Sequence, residues 1–145
     1  MSMREQVNSG MSWLVPAAVL VLRLVVGVVF MMHGAQKLFG AFGGGGISGT
    51  TGFMGSLGLQ PAAFWAWVLA LVEFGGGVSL AVGLLSRWAA LLLAIDMAVA
   101  TILVHLPNGF FVSNGGIELV LILFAASLFF VAYGSGKLSV DAIRA

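Results

Sequence analysis

Four long apolar runs constrain the fold of this chain more than any other feature. They cover residues 14–38, 62–85, 88–106 and 117–133. About 20 consecutive apolar residues in an α-helix cross the ~30 Å hydrocarbon core of a bilayer, and none of these runs alternates polar and apolar residues as a barrel strand does. The pattern predicts an all-α integral membrane protein, a bundle of four transmembrane helices that forms a single unit over residues 1–145.

Composition agrees with a membrane protein and excludes several kinds of chemistry. Hydrophobic residues make up 61% of the chain and charged residues 8%, whereas a soluble domain has roughly 25% charged residues. The net charge of +1 gives no basis for a nucleic-acid partner, so the lipid bilayer is the expected environment. Because the chain has no cysteine, it cannot supply a thiol nucleophile, a redox disulfide or the thiolates of an iron–sulfur cluster.

Basic residues are distributed unevenly between the two ends of the predicted helices. The long glycine-rich connection over residues 40–60 carries no charge, and we expect it to be an outer loop. Four basic residues fall instead on the N-terminus, the second connection and the C-terminus: Arg4, Arg87, Lys137 and Arg144. The positive-inside rule therefore predicts that both termini lie in the cytoplasm.

Charged side chains within the apolar runs are the next constraint. A charge near the bilayer centre costs roughly 2.5–3.5 kcal/mol on insertion scales, so such residues pair with one another or face a polar cavity. Counting ~1.5 Å of rise per residue, three charges on three helices fall near mid-membrane: Arg23, Glu73 and Asp96. We interpret them first as a structural ion cluster that locks the bundle. A proton or ligand site on the same residues is the alternative.

A second polar group is expected at the outer face, where the first and third runs end and the fourth begins. His33 and Lys37 are four residues apart and therefore share a helix face. Asp96 and His105 are nine apart and point in nearly opposite directions on an ideal helix, so they would serve one site only if the helix unwinds near Pro107. Together with one mid-membrane carboxylate, the outer group forms the candidate ligand or proton site: His33, Gln36, Lys37, Glu73, His105, Asn108 and Glu118.

The chemistry open to this outer group is limited. Two histidines could hydrogen-bond a quinone carbonyl while a neighbouring lysine, glutamine or glutamate handles the proton. They could also ligate a haem iron, which we disfavour because interfacial structure explains two histidines more simply. No metal site is predicted, since no local spacing of histidine and carboxylate supports one. Catalytic residues, if there are any, remain unknown.

Small residues recur at every fourth position of the second run, at Gly75, Ser79 and Gly83. In membranes such a stripe lets another helix approach closely. We expect it to be the packing face of this helix, with the glycines that follow Glu73 leaving room beside its carboxyl group.

Residues 15–141 contain several short polar and glycine-containing motifs in a characteristic order. In sequence letters they are FMMHGAQKLFG (30–40), LVEFGG (71–76), GLLSR (83–87), HLPNGFF (105–111) and GGIE (115–118). Their combined order and spacing resemble the DoxX family of small bacterial membrane proteins. Carried over by position, the family's recurring polar residues are Arg23, His33, Gln36, Lys37, Glu73, His105, Asn108 and Glu118, whereas Asp96 is less securely part of the pattern.

The resemblance implies a four-helix, multi-pass protein of the bacterial cytoplasmic (inner) membrane. It also implies kinship with the DoxD-type subunit of thiosulfate:quinone oxidoreductase and with membrane redox complexes linked to oxidative-stress defence. Our leading interpretation is a redox-associated subunit that interacts with quinone or with another redox protein subunit. The alternatives are a small transporter or proton-coupled permease, and a non-catalytic assembly subunit. The oligomeric state is not predicted.

Overall fold

The chain folds into helices joined by short turns. The computed structural model describes residues 9–145, so Arg4, one of the residues behind the predicted orientation, lies outside the described residues. Within this range all regular structure is helical, and the predicted all-α class is confirmed. The α-helices are α1 (Leu14–Phe39), α2 (Gly46–Ser56), α3 (Ala62–Val82), α4 (Ser86–Ala100), α5 (Glu118–Tyr133) and α6 (Val140–Arg144).

Three helical stretches of the described chain are long and apolar enough to cross a membrane: Ser9–Phe39, Ala62–Val82 and Ser86–Asn108. The fourth apolar helix, α5, has 16 residues and is therefore about 24 Å long, which is less than the ~30 Å hydrocarbon core. The structure thus has the helices of an integral membrane bundle, as predicted. The cytoplasmic placement of the termini stays a prediction.

Helices α1 and α3 are the most closely packed pair of helices in the structure. Their backbones approach so closely that a Cβ atom added to Gly34 would lie 2.3 Å from the backbone nitrogen of Phe74. A Cβ atom on Gly77 would lie 2.6 Å from the backbone nitrogen of Met31. Small residues permit this approach in membrane helices, where van der Waals packing holds the pair together. The approach brings the end of α1 next to the middle of α3.

The predicted packing stripe of Gly75, Ser79 and Gly83 is only partly right. A Cβ atom on Gly83 would lie 2.7 Å from the Arg23 Nη1 atom of α1. A Cβ atom on Gly75 would meet nothing within 4 Å, so no helix packs there. The predicted stripe and the buried face of α3 both contain small residues at helical spacing. Composition alone therefore could not show which face packs against another helix. The buried positions of α3 are Ala66, Ala70, Glu73, Gly77 and Leu80.

The connection predicted as a loop over residues 40–60 contains helix α2, and this corrects the prediction. A glycine inside a helix is unfavourable by about 1 kcal/mol relative to alanine, so α2 depends on tertiary packing. Thr50 and Met54 are buried, and α2 packs against α1 and α3. The Thr50 hydroxyl also donates a hydrogen bond to the Gly46 carbonyl at 2.8 Å. The glycine count suggested a loop because it ignored this apolar contact face.

Helices α4 and α5 form the second pair, and the two pairs meet mainly along α3 and α4. Buried apolar side chains from α1, α3, α4 and α5 fill the space between them. Many large apolar side chains instead face outward, as expected of a surface that lipid covers. Trp13, Trp67 and Trp88, near helix ends, are 50–69% exposed, in the manner of an interfacial aromatic belt.

Substituting Gly34 with alanine tests the contact between α1 and α3. The added methyl group would overlap the Phe74 backbone, and overpacking of this kind typically costs about 1–3 kcal/mol. We expect G34A to lower the melting temperature of the purified protein in detergent by several degrees. The matched control is G75A on α3, where the space is open and alanine favours the helix. Equal melting temperatures for G34A and wild type would contradict the close approach.

Candidate functional site

A cavity of about 500 Å³ lies within the bundle and is lined by residues from helices α1 to α5. Its volume is in the range of cavities that hold small organic ligands. Most of the lining is apolar. Five titratable side chains also line it: His33, Lys37, Glu73, Asp96 and His105. The structure therefore gathers both histidines and three charged groups around one space.

Lys37 and Glu73 form an ion pair at the wall of this cavity. The Lys37 Nζ atom lies 2.5 Å from the Glu73 Oε2 atom, and the Glu73 side chain is only 5% exposed. Lys37 is in the last turn of α1, and Glu73 is midway along α3. The neighbouring contact between Gly34 and Phe74 brings the two backbones close enough for the pair to form. A buried carboxylate of this kind needs such a partner, because an unpaired buried charge is strongly destabilising.

Asp96 extends the ion pair into a cluster of three groups. Its carboxyl lies within hydrogen-bonding reach of the Glu73 carboxyl, with Lys37 also nearby. The Asp96 Oδ2 atom is buried and has no hydrogen-bond donor in the described part of the chain. Ionised carboxyl groups only accept hydrogen bonds, so the two can be joined only when one of them carries a proton. The cluster thus has a place for one additional proton.

Each histidine has a ring nitrogen available to the cavity. The His33 ring makes no hydrogen bond with any described residue and lines the cavity wall. His105 Nδ1 lies 2.6 Å from the carbonyl oxygen of Gly115. Because a carbonyl can only accept, Nδ1 carries the hydrogen and Nε2 is the acceptor of the neutral ring. His33 and His105 therefore offer the cavity both donor and acceptor positions.

The end of α4 explains why Asp96 and His105 line the same cavity. The helix continues into a π-helical turn, Thr101–His105, and then a 3₁₀ turn, Leu106–Asn108. The π turn has wider i→i+5 hydrogen bonding, so the residues after it are rotated relative to an ideal α-helix. The sequence analysis predicted that the side chains of Asp96 and His105 point in opposite directions unless the helix unwinds near Pro107. Because the helix type changes just before this proline, the two side chains are no longer opposite.

Three residues of the predicted ligand site do not line the cavity and instead hold the outer connections. Gln36 Nε2 donates to the Phe42 carbonyl at 3.4 Å. Asn108 Nδ2 donates to a carbonyl in the preceding turn at 3.2 Å. Glu118 Oε2 accepts from the backbone N–H of Val112 at 2.9 Å. The positions of these residues at helix ends predicted their depth, but not the direction of their side chains.

The predicted ion cluster of Arg23 with Glu73 and Asp96 is corrected. Arg23 is 2% exposed, and its guanidinium donates to the carbonyl of Ser135 at 2.5 Å and to that of Leu138 at 2.6 Å. Both carbonyls belong to the segment after α5. This segment therefore folds against α1 and accepts hydrogen bonds from both terminal nitrogens of the buried cation, while its Nε atom has no partner among the described residues.

Arg23 lies at a different depth from the cavity cluster. Lys37, the actual partner of Glu73, is 14 positions further along α1, which corresponds to about 21 Å of helix rise. The depth estimate assumed that each apolar run begins at the membrane surface. It failed because α1 and α3 pack with Gly34 beside Phe74 and Arg23 beside Gly83, which sets Lys37 rather than Arg23 level with Glu73.

Asp141 is a structurally important residue that the sequence analysis missed. Its carboxylate accepts hydrogen bonds from the backbone N–H of Leu85 at 2.8 Å and of Ser86 at 3.0 Å, which begin α4. The Ser135 hydroxyl also donates to it, at 3.2 Å. Burial raises the pKa of Asp141, but these hydrogen bonds together outweigh burial and hold the pKa below its ordinary value. A capping residue 55 positions away leaves no local signal in the sequence.

These features define the class of the protein. It is an α-helical, multi-pass membrane protein in which polar side chains from three helices meet at an otherwise apolar cavity. The DoxX family profile matches residues 18–106. The chain belongs to the DoxX family, as the motifs in its sequence indicated.

Several proteins are similar over most of their length. The Bacillus subtilis protein named "Putative oxidoreductase CatD" is 34% identical, over 84% of this chain and 83% of its own. An uncharacterized protein of Haemophilus influenzae is 38% identical, over 83% of this chain and 85% of its own. An uncharacterized membrane protein of Mycobacterium tuberculosis is 36% identical, over 66% of this chain and 58% of its own. No solved structure is significantly similar to this chain.

Substituting Asp141 with asparagine tests the cap on α4. Since the folded-state pKa is lowered, the carboxylate stabilises the fold above its unfolded pKa of about 3.9, and this contribution is lost as pH falls through the folded pKa. At neutral pH we expect D141N to lose about 1 kcal/mol of unfolding free energy, as for loss of a helix cap. The difference in melting temperature between D141N and wild type should shrink below about pH 4. R144Q, on the exposed face of α6, is the control. A difference that is independent of pH would contradict the role of the charge.

Proposed function

We propose that this DoxX-family protein is a redox-associated membrane subunit that binds the headgroup of a quinone or quinol in its cavity. The supporting observation is the combination of a largely apolar cavity of about 500 Å³ with five titratable side chains on its wall. A quinone has the matching chemistry, an apolar ring with polar oxygens at opposite edges. The oxidoreductase name of the Bacillus subtilis relative is consistent with a redox role.

The polar groups suit both redox forms of such a headgroup. A quinone carbonyl accepts hydrogen bonds, which His33 or Lys37 can donate, whereas a quinol hydroxyl donates, for example to His105 Nε2. Interconversion of the two forms moves two protons with two electrons. The carboxyl pair of Glu73 and Asp96 can hold or release a proton beside the ring. We infer that the electrons come from or go to another redox protein subunit, since this chain has no cysteine to ligate an iron–sulfur cluster.

We place the protein in the bacterial cytoplasmic membrane with its C-terminus in the cytoplasm. Arg87 donates to the Val131 and Ala132 carbonyls at the end of α5, and the following segment carries Lys137 and Arg144. These cations lie at the end of the bundle opposite the cavity cluster, so the positive-inside rule supports this orientation. The proposed headgroup site then lies in the outer half of the membrane.

The packing of the core disfavours the permease alternative. Between the cavity cluster and the Arg23 end lies a layer of tightly packed side chains, all at most 5% exposed: Val26, Phe30, Leu80 and Leu93. A polar pathway from the cavity would have to cross this layer. The quinone-binding proposal requires no such crossing, because the ligand would enter and leave on one side of it. The assembly-subunit alternative is decided by the binding experiment.

Binding to purified protein in lipid nanodiscs tests the proposal. Because Trp65 lines the cavity, a bound quinone analogue should quench its fluorescence in a saturable manner. We expect H33L to weaken binding about tenfold, which corresponds to the loss of one ligand hydrogen bond of about 1.4 kcal/mol. Q36L, three positions away and off the cavity, is the matched control and should bind as wild type does. H33L should keep the wild-type melting temperature, and Q36L should lower it slightly because the hydrogen bond to the Phe42 carbonyl is lost.

Two outcomes would overturn the proposal. If wild-type protein shows no saturable binding of any quinone or quinol analogue, the cavity does not serve this ligand. If H33L and Q36L bind equally well, the ligand lies elsewhere. Substitutions in the cluster that alter only the melting temperature would favour the assembly subunit instead.

A further inference from the structure

The cavity is much more open on one side than on the other. Three cavity-lining side chains of α1 and α5 are almost fully buried: Phe30 is 1% exposed, Val120 7% and Leu123 6%. Lys37 and Leu119, nearer the connections, are 25% and 36% exposed. The lining side chains of α3 and α4 include far more exposed residues. Those above 40% exposure are Trp65, Leu92, Ile95, Val99 and Leu103. The cavity therefore opens between α3 and α4, on a surface that lipid covers in the membrane.

The opening leads directly to the cluster of charged groups. Leu92, Ile95 and Val99 are spaced by three or four residues and so form one row along α4, and Leu103 follows in the π turn. Asp96 lies in the same row and reaches the Glu73 carboxyl. A molecule entering over this row would therefore meet the Asp96 carboxyl.

Helix α2 restricts access from the outer end of the bundle. Its Met54 side chain lines the cavity and is only 5% exposed. Gly116, in the connection before α5, also lines the cavity and is buried. Phe53 of α2 and Val112 of the same connection also line the cavity and are 44% and 52% exposed, so this end is only partly covered. The opening between α3 and α4 differs from it because it faces the lipid along a row of apolar side chains, which suits a lipid-soluble molecule.

We propose that the ligand enters laterally from the bilayer between α3 and α4, and that it is a quinone with a long isoprenoid tail. This inference rests on the proposed function and specifies the ligand class. A cavity of about 500 Å³ accommodates a headgroup and the first part of a tail, in the size range of drug-sized ligands. The remainder of the tail leaves through the opening and lies along the exposed row of α4. A water-soluble quinone would make no contact there.

Narrowing the opening should separate long-tailed from short-tailed ligands. We would substitute Val99 with tryptophan and measure equilibrium binding of two radiolabelled quinones that share a headgroup, one with a single isoprene unit and one with a long tail. V99W should weaken binding of the long-tailed quinone at least tenfold, because its side chain occupies the path of the tail. Binding of the short-tailed quinone should change less than threefold, because that ligand fits inside the cavity.

Two further variants complete the experiment. L91W adds the same side chain to α4 at a residue that is 37% exposed and does not line the cavity, so both affinities should stay at the wild-type value. I95F narrows the opening with a smaller change and should reproduce the selective loss if V99W does not fold.

The outcomes distinguish the two proposals. If wild-type protein binds both quinones and the opening variants weaken neither, or weaken both equally, lateral entry is wrong and the proposed function stands. If wild-type protein binds neither quinone, the proposed function fails and this inference fails with it. Selective loss of the long-tailed ligand in V99W or I95F, but not in L91W, supports lateral entry.

Discussion

A carboxylate inside a hydrocarbon layer has to be paired, and in this protein the partner of Glu73 comes from the far end of another helix. Lys37 reaches it because α1 and α3 touch backbone to backbone at Gly34. A larger residue at that position would move the helices apart, and the longer reach would weaken the ion pair. Asp96 of α4 lies beside this pair at the cavity wall. The cavity cluster is thus a consequence of one close helix contact.

The sequence predicted the main helices well because bilayer thickness and apolar length are directly related. Four residues of the predicted ligand site line the cavity, His33, Lys37, Glu73 and His105, and so does Asp96, which the sequence analysis assigned to the ion cluster. The sequence analysis assigned the wrong partner to Glu73. Arg23 was assigned to Glu73 by counting residues from the helix ends, and this count could not include the C-terminal segment whose carbonyls bind it. The partner of a buried charge depends on tertiary contacts, and these cannot be deduced from the length of a helix.

The predicted local structure was wrong at two places. The glycines of residues 40–60 predicted a loop, yet α2 is stabilised by burying Met54 against its neighbours. The ideal helix placed Asp96 and His105 on opposite faces, yet a π turn lies between them. For α2, packing against neighbouring helices outweighed the local preference. At the end of α4, the change of helix type altered the direction of the residues that follow it. The sequence of a segment shows its local conformational preference, but not the segments against which it packs in the fold.

The hydrogen bond from His105 to Gly115 connects the cavity to the connection between α4 and α5. It fixes which ring nitrogen carries the hydrogen, and it does so from a backbone carbonyl outside the helices. A displacement of that connection by a few ångström would break the bond and let the imidazole exchange tautomers. The position of this connection therefore controls which ring nitrogen of His105 presents a hydrogen to the cavity and which one accepts.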